Sequence, residues 1–310
     1  MIIGVSAAIQ RALALAERYA RTRLPILLVG ATGTGKELFA QHVHGRSGRP
    51  GLLVDVNCCA LPRDMVESLL FGHRRGAFTG AVESTVGYVE RANGGTLFLD
   101  ELTGLVPEAQ GKLLRVLETG EVQPLGAAGN RRVDIRIVSA AQDDFPGALE
   151  AHRFRRDLFQ RVAGVVIELP TLAARPEDVL PMAEHFASLQ GRRLESGVER
   201  VLLAHPWPGN VRELRLVIER ASALVENGTL SRSAIVEAIA LGDPGNSPVA
   251  VALDERAKLL RICEANEWEA ARITHVLGIS RTTLHRRLCE IGVSLRRAKK
   301  STLIRHEVGR

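Results

Sequence analysis

The chain has 310 residues, 45% apolar and 25% charged, with a formal net charge of +6; this supplies cores for two or three compact units and excludes extended disorder. Its four cysteines, Cys58, Cys59, Cys263 and Cys289, have neither zinc-type C-x-x-C spacing nor the pattern of a disulfide framework, which suits a reducing compartment. No run of 18 apolar residues and no leader-like N-terminus is present, so a cytoplasmic protein with no membrane association is expected.

In chain order, Val5 to Arg23 has helical spacing, and Leu24 to Gly30 reads as a short buried strand running into a glycine turn. Further apolar strands are expected at Gly51 to Val56, Gly95 to Leu99, Ile135 to Ala140 and Val165 to Leu169, separated by segments of helical length. That alternation predicts an α/β unit built on a largely parallel sheet, over residues 1–169. From 170 to 242 the pattern is helical only, and is read as a lid. Asp243-Pro244-Gly245-Asn246-Ser247-Pro248 marks a linker, residues 243–250. Residues 251–295 then form a small third unit, and 296–310 a basic tail. Residues 253–310 hold 13 Lys and Arg against 7 Asp and Glu, the whole of the positive excess, while the preceding residues balance at 28 and 28. Such a concentration fits a polyanionic partner, the plain alternative being a solvated basic surface.

Gly30-Ala31-Thr32-Gly33-Thr34-Gly35-Lys36 satisfies G-x-x-x-x-G-K between a predicted strand and a predicted helix. Glycines let backbone amides wrap phosphate oxygens, the helix N-terminus favours negative charge, and Lys36 can bridge the β- and γ-phosphates of a nucleotide. Glu37 stands where a magnesium-binding hydroxyl is usual. Thr96-Leu97-Phe98-Leu99 leads to Asp100-Glu101, the pattern of a buried strand ending at a magnesium-binding Asp100 and a water-orienting Glu101.

These motifs, together with Gly76-Ala77-Phe78-Thr79-Gly80-Ala81, resemble the sigma-54-dependent transcriptional activators, in which Glu at the place of Glu37 is itself usual and the hexapeptide is the hallmark loop. The resemblance covers Ile3 to about Leu295. It implies an AAA+ P-loop ATPase with a helical lid and a C-terminal all-α helix-turn-helix domain, using ATP and Mg2+. By the same resemblance Asn57 restrains Glu101, Arg155 and Arg161 are fingers acting on a neighbour's nucleotide, and Arg212, in Trp207-Pro208-Gly209-Asn210-Val211-Arg212-Glu213-Leu214, is the lid sensor. Fingers imply a ring, by resemblance a hexamer, of one chain or with a related activator. Gly76 to Ala81 would present Phe78 and Thr79 to sigma-54 RNA polymerase, supported by a second surface loop around Leu117 to Arg132. Where the family has A-A-T-N, this chain has Ser139-Ala140-Ala141-Gln142; Gln142 keeps an amide for the γ-phosphate or water, Ala141 lacks a hydroxyl, and hydrolysis is expected to persist, if at a lower rate.

Glu269 to Leu277, Gly278, and Ser280 to Glu290 read as two helices about a glycine turn, with Leu284 and Leu288 facing inward. Arg281, Thr282, Thr283, His285, Arg286 and Arg287 are the expected contacts to enhancer DNA, in a segment resembling the Fis-type helix-turn-helix. Only two residues precede Ile3, so a short form without an N-terminal sensory domain is expected, controlled by an inhibitor, a partner or its own abundance. Two other readings are a DNA-bound regulator that no longer hydrolyses ATP, and a remodeller without DNA.

Overall fold

A computed structural model of the chain describes residues 2–142, 145–226 and 228–242, then Leu259, Ile262, Cys263, Asn266, 269–277, Leu284 and Leu288. The first helix, α1 (Ala7–Ala20), is shorter than its periodicity suggests because Ser6 caps it, its hydroxyl accepting the Ile9 N–H. There follow β1 (Ile26–Val29), α2 (Lys36–Ser47), β2 (Leu53–Asn57), α3 (Val66–Phe71), α4 (Tyr88–Arg91), β3 (Thr96–Asp100) and α5 (Pro107–Thr119). Next come β4 (Glu121–Val122), β5 (Arg131–Arg132), β6 (Arg136–Ala141), α6 (Phe145–Glu150), α7 (Arg156–Val162) and β7 (Val165–Glu168).

Five strands pair in the order β2-β3-β6-β1-β7, and every pair is parallel. Parallel strands are covered on both faces, which is why their sequences run apolar instead of alternating. Along β1, Ile26 and Leu28 pack with α1 and α2 on one face, while Leu27 joins the layer of α3, α5 and α7 on the other. Parallel pairing also fixes direction: all five strands end at the same edge of the sheet. β1, joined to β6 on one side and β7 on the other, ends where the chain topology reverses, the usual place for a ligand crevice.

Beyond β7 lie α8 (Val179–Leu189), β8 (Arg193–Leu194), α9 (Glu199–Ala204), α10 (Asn210–Leu224), β9 (Thr229–Leu230) and α11 (Arg232–Ala240). The expected all-helical lid is corrected in one respect. Arg193-Leu194 and Thr229-Leu230 form a two-residue parallel pair, too short to register as a strand in the sequence. The expected surface loop at 117–132 is corrected too: it is the end of α5 followed by the antiparallel β4–β5 hairpin.

The chain divides into two compact units, Met1–Ile235 and Val236–Arg310, the division falling inside α11. In the second, α12 (Ala270–Leu277) contributes to a small core of buried Cys263, Ile273, Leu284 and Leu288, with Leu259, Ile262, Ala270 and Leu277 packed on it. Leu284 and Leu288 thus face inward, as their spacing predicts. Arg281, Thr282, Thr283, His285, Arg286 and Arg287 lie outside the described residues.

Within the layer that holds Ile137 and Ala141, Ser139 Oγ is fully buried without a hydrogen-bond partner. An unsatisfied buried hydroxyl costs about 1–3 kcal/mol. Ser139→Ala is therefore expected to stabilise the first unit by about 1 kcal/mol, read as a higher urea midpoint at unchanged slope; a lower midpoint would contradict this account of the hydroxyl.

Candidate functional site

The sheet edge gathers the sequence motifs. β1 runs into the glycine loop, β2 ends at Asn57, β3 at Asp100 and β6 at Ala141, with Asn57 in register with Asp100 and Val29 with Ala141. The loop can take its path because Gly33 and Gly35 adopt φ of +80° and +106°, a region that disfavours side chains. A Cβ on Gly30 would stand 2.8 Å from the Leu169 carbonyl oxygen, and one on Gly33 2.4 Å from that of Gly209. The loop is thus squeezed between the end of β7 and the start of α10. Lys36 Nζ folds over it, donating to the carbonyls of Gly30 at 2.6 Å and Ala31 at 3.1 Å.

Carboxylates face this loop. Asp100 and Glu101 are half-buried, and Glu101 takes a left-handed backbone, φ +50°, as the strand breaks into a short turn, Leu102–Gly104. Asp100 Oδ1 accepts the Glu101 N–H at 2.9 Å. Burial, with Glu37 and Asp100 as neighbouring charges, pushes the Asp55 carboxyl up. Carboxylates converging on one edge fit a bound cation. Among the described residues no three His, Cys, Asp or Glu could hold a metal by themselves, so such a cation would draw further oxygens from a phosphate and from water, as magnesium does.

Asn57 stands beside Asp100, but its side-chain oxygen accepts the N–H groups of Cys59 and Ala60 at 3.0 and 3.1 Å. The Cys59 thiol lies near Glu101, whose carboxylate opposes its ionisation. Its sulfur sits where a side chain on Gly104 would lie, 2.4 Å from an added Cβ. Gln142 is exposed at the end of β6, and the methyl of Ala141 points into the apolar layer. Arg212 is exposed at the start of α10, its backbone N–H directed to the Gly33 carbonyl.

Arg155, the residue before α7, and Arg161, in its last turn, are both exposed. Arg155 forks onto Asp157 at 3.1 and 2.7 Å, and that hydrogen bond holds the Asp157 carboxyl down to about 2. Arg161 donates to the Leu117 carbonyl at 3.1 Å. Buried Gln110 braces the segment, accepting the Arg155 N–H at 2.9 Å and donating to the Leu105 carbonyl at 2.7 Å.

Gly76 to Ala81 lies in the connection between β2 and β3. Its stem is closed where Gly72 and Gly87 meet backbone to backbone, a Cβ on Gly87 standing 2.4 Å from the Gly72 nitrogen. His73 and Thr85 exchange both backbone hydrogen bonds, and the tip turns on Gly76 N–H to Ala81 O at 2.9 Å. Phe78 is 43% exposed, its ring 5.0 Å from that of His73, and Thr79 is exposed. The β4–β5 hairpin grips the stem: Leu125 accepts from Arg74 and donates to Gly72, each at 2.9 Å, and Gly126 abuts Ala77.

Sequence reasoning assigned no role to Cys59, Arg175 or Asn210. Asn210 stands only inside a motif there, and a side-chain contact between segments far apart in the chain leaves no periodic signal.

Comparison with known proteins places residues 2–168 in the sigma-54 interaction domain family and residues 173–250 in the AAA+ ATPase lid domain family. The chain is 35% identical to the Nif-specific regulatory protein of Azotobacter vinelandii over 96% of its own length and 60% of that protein's. With the DNA-binding transcriptional regulator NtrC of Rhizobium meliloti it shares 33% identity, covering 97% of this chain and 71% of the relative. It thus spans less than two thirds of the Azotobacter relative it matches. The crystal structure of NtrX from Brucella abortus in complex with ATP superposes with a TM-score of 0.71 at 31% identity, covering 94% of this chain and 69% of that one. The parallel-sheet AAA+ fold with its helical lid is shared with that structure.

Burial first, then the neighbouring Glu101, push the exposed Cys59 thiol up, so at any pH below its titration it holds less thiolate than a free cysteine. Cys59 is expected to alkylate more slowly than a free thiol at pH 8, the rate rising with pH. Glu101→Gln, which removes the charge opposing the thiolate, should speed it; site-resolved mass spectrometry after iodoacetamide pulses reads both effects, and equal rates in the two proteins would break the assigned contact.

Proposed function

This chain belongs to the sigma-54 interaction domain family, and from that premise we propose that it is a transcriptional activator that binds enhancer DNA and uses ATP hydrolysis to convert closed complexes of sigma-54 RNA polymerase into open ones. The observation that carries the reading is where the hexapeptide loop sits. It lies between the strand that ends at Asn57 and the strand that ends at Asp100 and Glu101, so the loop meant for a partner and the edge meant for a nucleotide share two strands.

A second link runs forward from the carboxylates. Glu101 opens the Leu102–Gly104 turn, the turn leads into α5, and α5 runs to the hairpin that holds Gly72, Arg74 and Ala77. Lys112 on α5 also pairs with Glu67 on α3 at 2.7 Å. A shift at Glu101 therefore has a continuous packed route to Phe78 and Thr79.

Bound ATP and magnesium supply the bond to be broken and a cation that draws charge from the transferred phosphoryl oxygens. Amides of the glycine loop, those of Gly33 and Gly35 among them, cradle phosphate oxygens, while the Gly30 N–H stays in the sheet on the Ala141 carbonyl; Lys36 trades its two loop carbonyls for the phosphate. Asp100 would hold the cation; Glu101 orients water and accepts its proton at the carboxylate. Gln142 and Arg212 reach the γ-phosphoryl side, while Asn57 acts on the turn it holds at Cys59 and Ala60 and not on Glu101 directly. Arg155 and Arg161, both exposed, act on a neighbouring subunit's nucleotide in a ring, a homo-hexamer or a mixed ring with a related activator, contributing roughly 10³–10⁵ in rate. To do so Arg155 must leave Asp157, which is ionised throughout the physiological range.

The basic excess of residues 253–310 supports DNA contact by the second unit, through Arg281, Thr282, Thr283, His285, Arg286 and Arg287. Phosphate contacts would make that affinity fall steeply with salt.

Three variants test the coupling. Glu101→Gln is expected to retain ATP but lose roughly 10²–10⁴ in turnover. Thr79→Ala should hydrolyse ATP near the wild-type rate and form no open complex. Gly126→Val places a side chain 2.8 Å from the Ala77 Cβ at a residue with φ +71°, and should uncouple in the same way without touching the nucleotide edge. Steady-state hydrolysis beside permanganate footprinting of a sigma-54 promoter separates the two steps, and open complexes formed at full yield by both loop variants would sink the proposal.

A further inference from the structure

Three consecutive carbonyls of the phosphate loop are held by the chain beyond β7. Thr32 O accepts from Asn210 Nδ2 at 3.0 Å, Gly33 O from the backbone N–H groups of Val211 at 3.0 Å and Arg212 at 3.4 Å, and Thr34 O from Arg175 Nη2 at 3.2 Å. No peptide bond among the described residues is cis. In a planar trans peptide the carbonyl and the following N–H point in opposite directions. Fixing the carbonyls of Thr32 and Thr34 on the lid side therefore turns the N–H groups of Gly33 and Gly35 to the other side. Backbone N–H groups aimed to one side of a loop favour an anion there, while the Thr34 N–H between them closes the turn on the Ala31 carbonyl.

Both side chains are built for this contact. Asn210 is 2% exposed and adopts φ +53°, an uncommon backbone for a residue other than glycine. Its Oδ1 accepts the Leu172 N–H at 2.8 Å, which fixes the orientation of the amide and leaves Nδ2 for the loop. Arg175 is 1% exposed, and its Nε is buried without a partner. Burying a guanidinium that incompletely is costly, so the residue has its place through the ends of the fork. One end meets Thr34; the other faces Asp178 at 3.7 Å. Asp178 in turn accepts the N–H groups of Val5 and Ser6 and the Ser6 hydroxyl, at 2.5, 2.7 and 2.7 Å.

We propose that Asn210 and Arg175 are positioning residues for the nucleotide: by pinning loop carbonyls from outside, they hold the phosphate cradle in its binding shape before any ligand arrives. The inference rests on reading Gly30 to Glu37 as that cradle. Because the contact orders the phosphate-binding backbone, its loss weakens every ligand with a polyphosphate, with or without a base. Linkage also requires that nucleotide stabilise the seating of the lid on the loop.

The test uses the full chain as wild type, Asn210→Gly, which tolerates the positive φ, and Arg175→Met, which keeps bulk without a donor. Calorimetric titration with magnesium–ATP and magnesium–tripolyphosphate should give about tenfold weaker binding of both ligands in each variant, the effect of one lost hydrogen bond to a preorganised site. Michaelis analysis should show KM raised about tenfold with kcat changed less than twofold, whereas a general structural lesion lowers kcat as well. Folded variants that bind both ligands within twofold of wild type would overturn the proposal. Hydrogen exchange on the nucleotide-free wild type decides independently of how the variants fold: the amides of Val211 and Arg212 should be protected, and exchange at unstructured rates would end the idea. A wild type that binds neither ligand refutes the nucleotide reading itself, while normal wild-type binding with unaffected variants refutes only the clamp.

Discussion

Parallel pairing of β1, β3 and β6 is the constraint from which the rest follows. Each crossover returns the chain to the same starting edge, so Gly30, Asp100 and Ala141 have to finish together at the opposite one, however far apart they stand in sequence. The apolar runs of these strands secure the pairing by burying both faces of the sheet, and chemistry is confined to the residues just past the strand ends. Glu101 shows the strain of that position: a carboxylate carried on a left-handed backbone, where conformation alone would favour glycine or asparagine.

The two loops serve different ends. One is short, glycine-rich and closed in by β7 and α10; the other, from Gly72 to Gly87, is long and presents an aromatic ring and a hydroxyl to solvent. What joins them is ordinary packing. α5 begins beside Glu101 and ends at the hairpin under the exposed loop, and buried Gln110 on the same helix braces the segment that carries Arg155. A single helix therefore touches the carboxylate turn, the exposed loop's support and the segment that carries Arg155.

Much of this was legible in the sequence. The glycine loop, the acidic strand end and the apolar strands have local signatures, and their spacing was enough for the sheet edge. So was the inward turn of Leu284 and Leu288, four residues apart. The two-residue strands β8 and β9 have no periodicity to detect, and the β4–β5 hairpin was hidden because its strands are as short. Asn57 was expected to engage Glu101, but an asparagine at a strand end competes for nearby backbone amides, and those of Cys59 and Ala60 are closer in the chain. Cys59 and Gly104 fit each other across the site, sulfur into the space of a missing side chain, a complementarity visible only when the two turns are seen together. Arg175 and Asp178 reach Thr34 and Val5 across more than a hundred residues, a distance no local pattern encodes.

The meeting of Gly72 with Gly87 has a mechanical meaning. Backbone pressed on backbone leaves the neck of the excursion no room for a side chain on either glycine, so any larger residue there would spread the base on which Phe78 and Thr79 are carried. The geometry of the hexapeptide is thereby set at two residues that lie outside it.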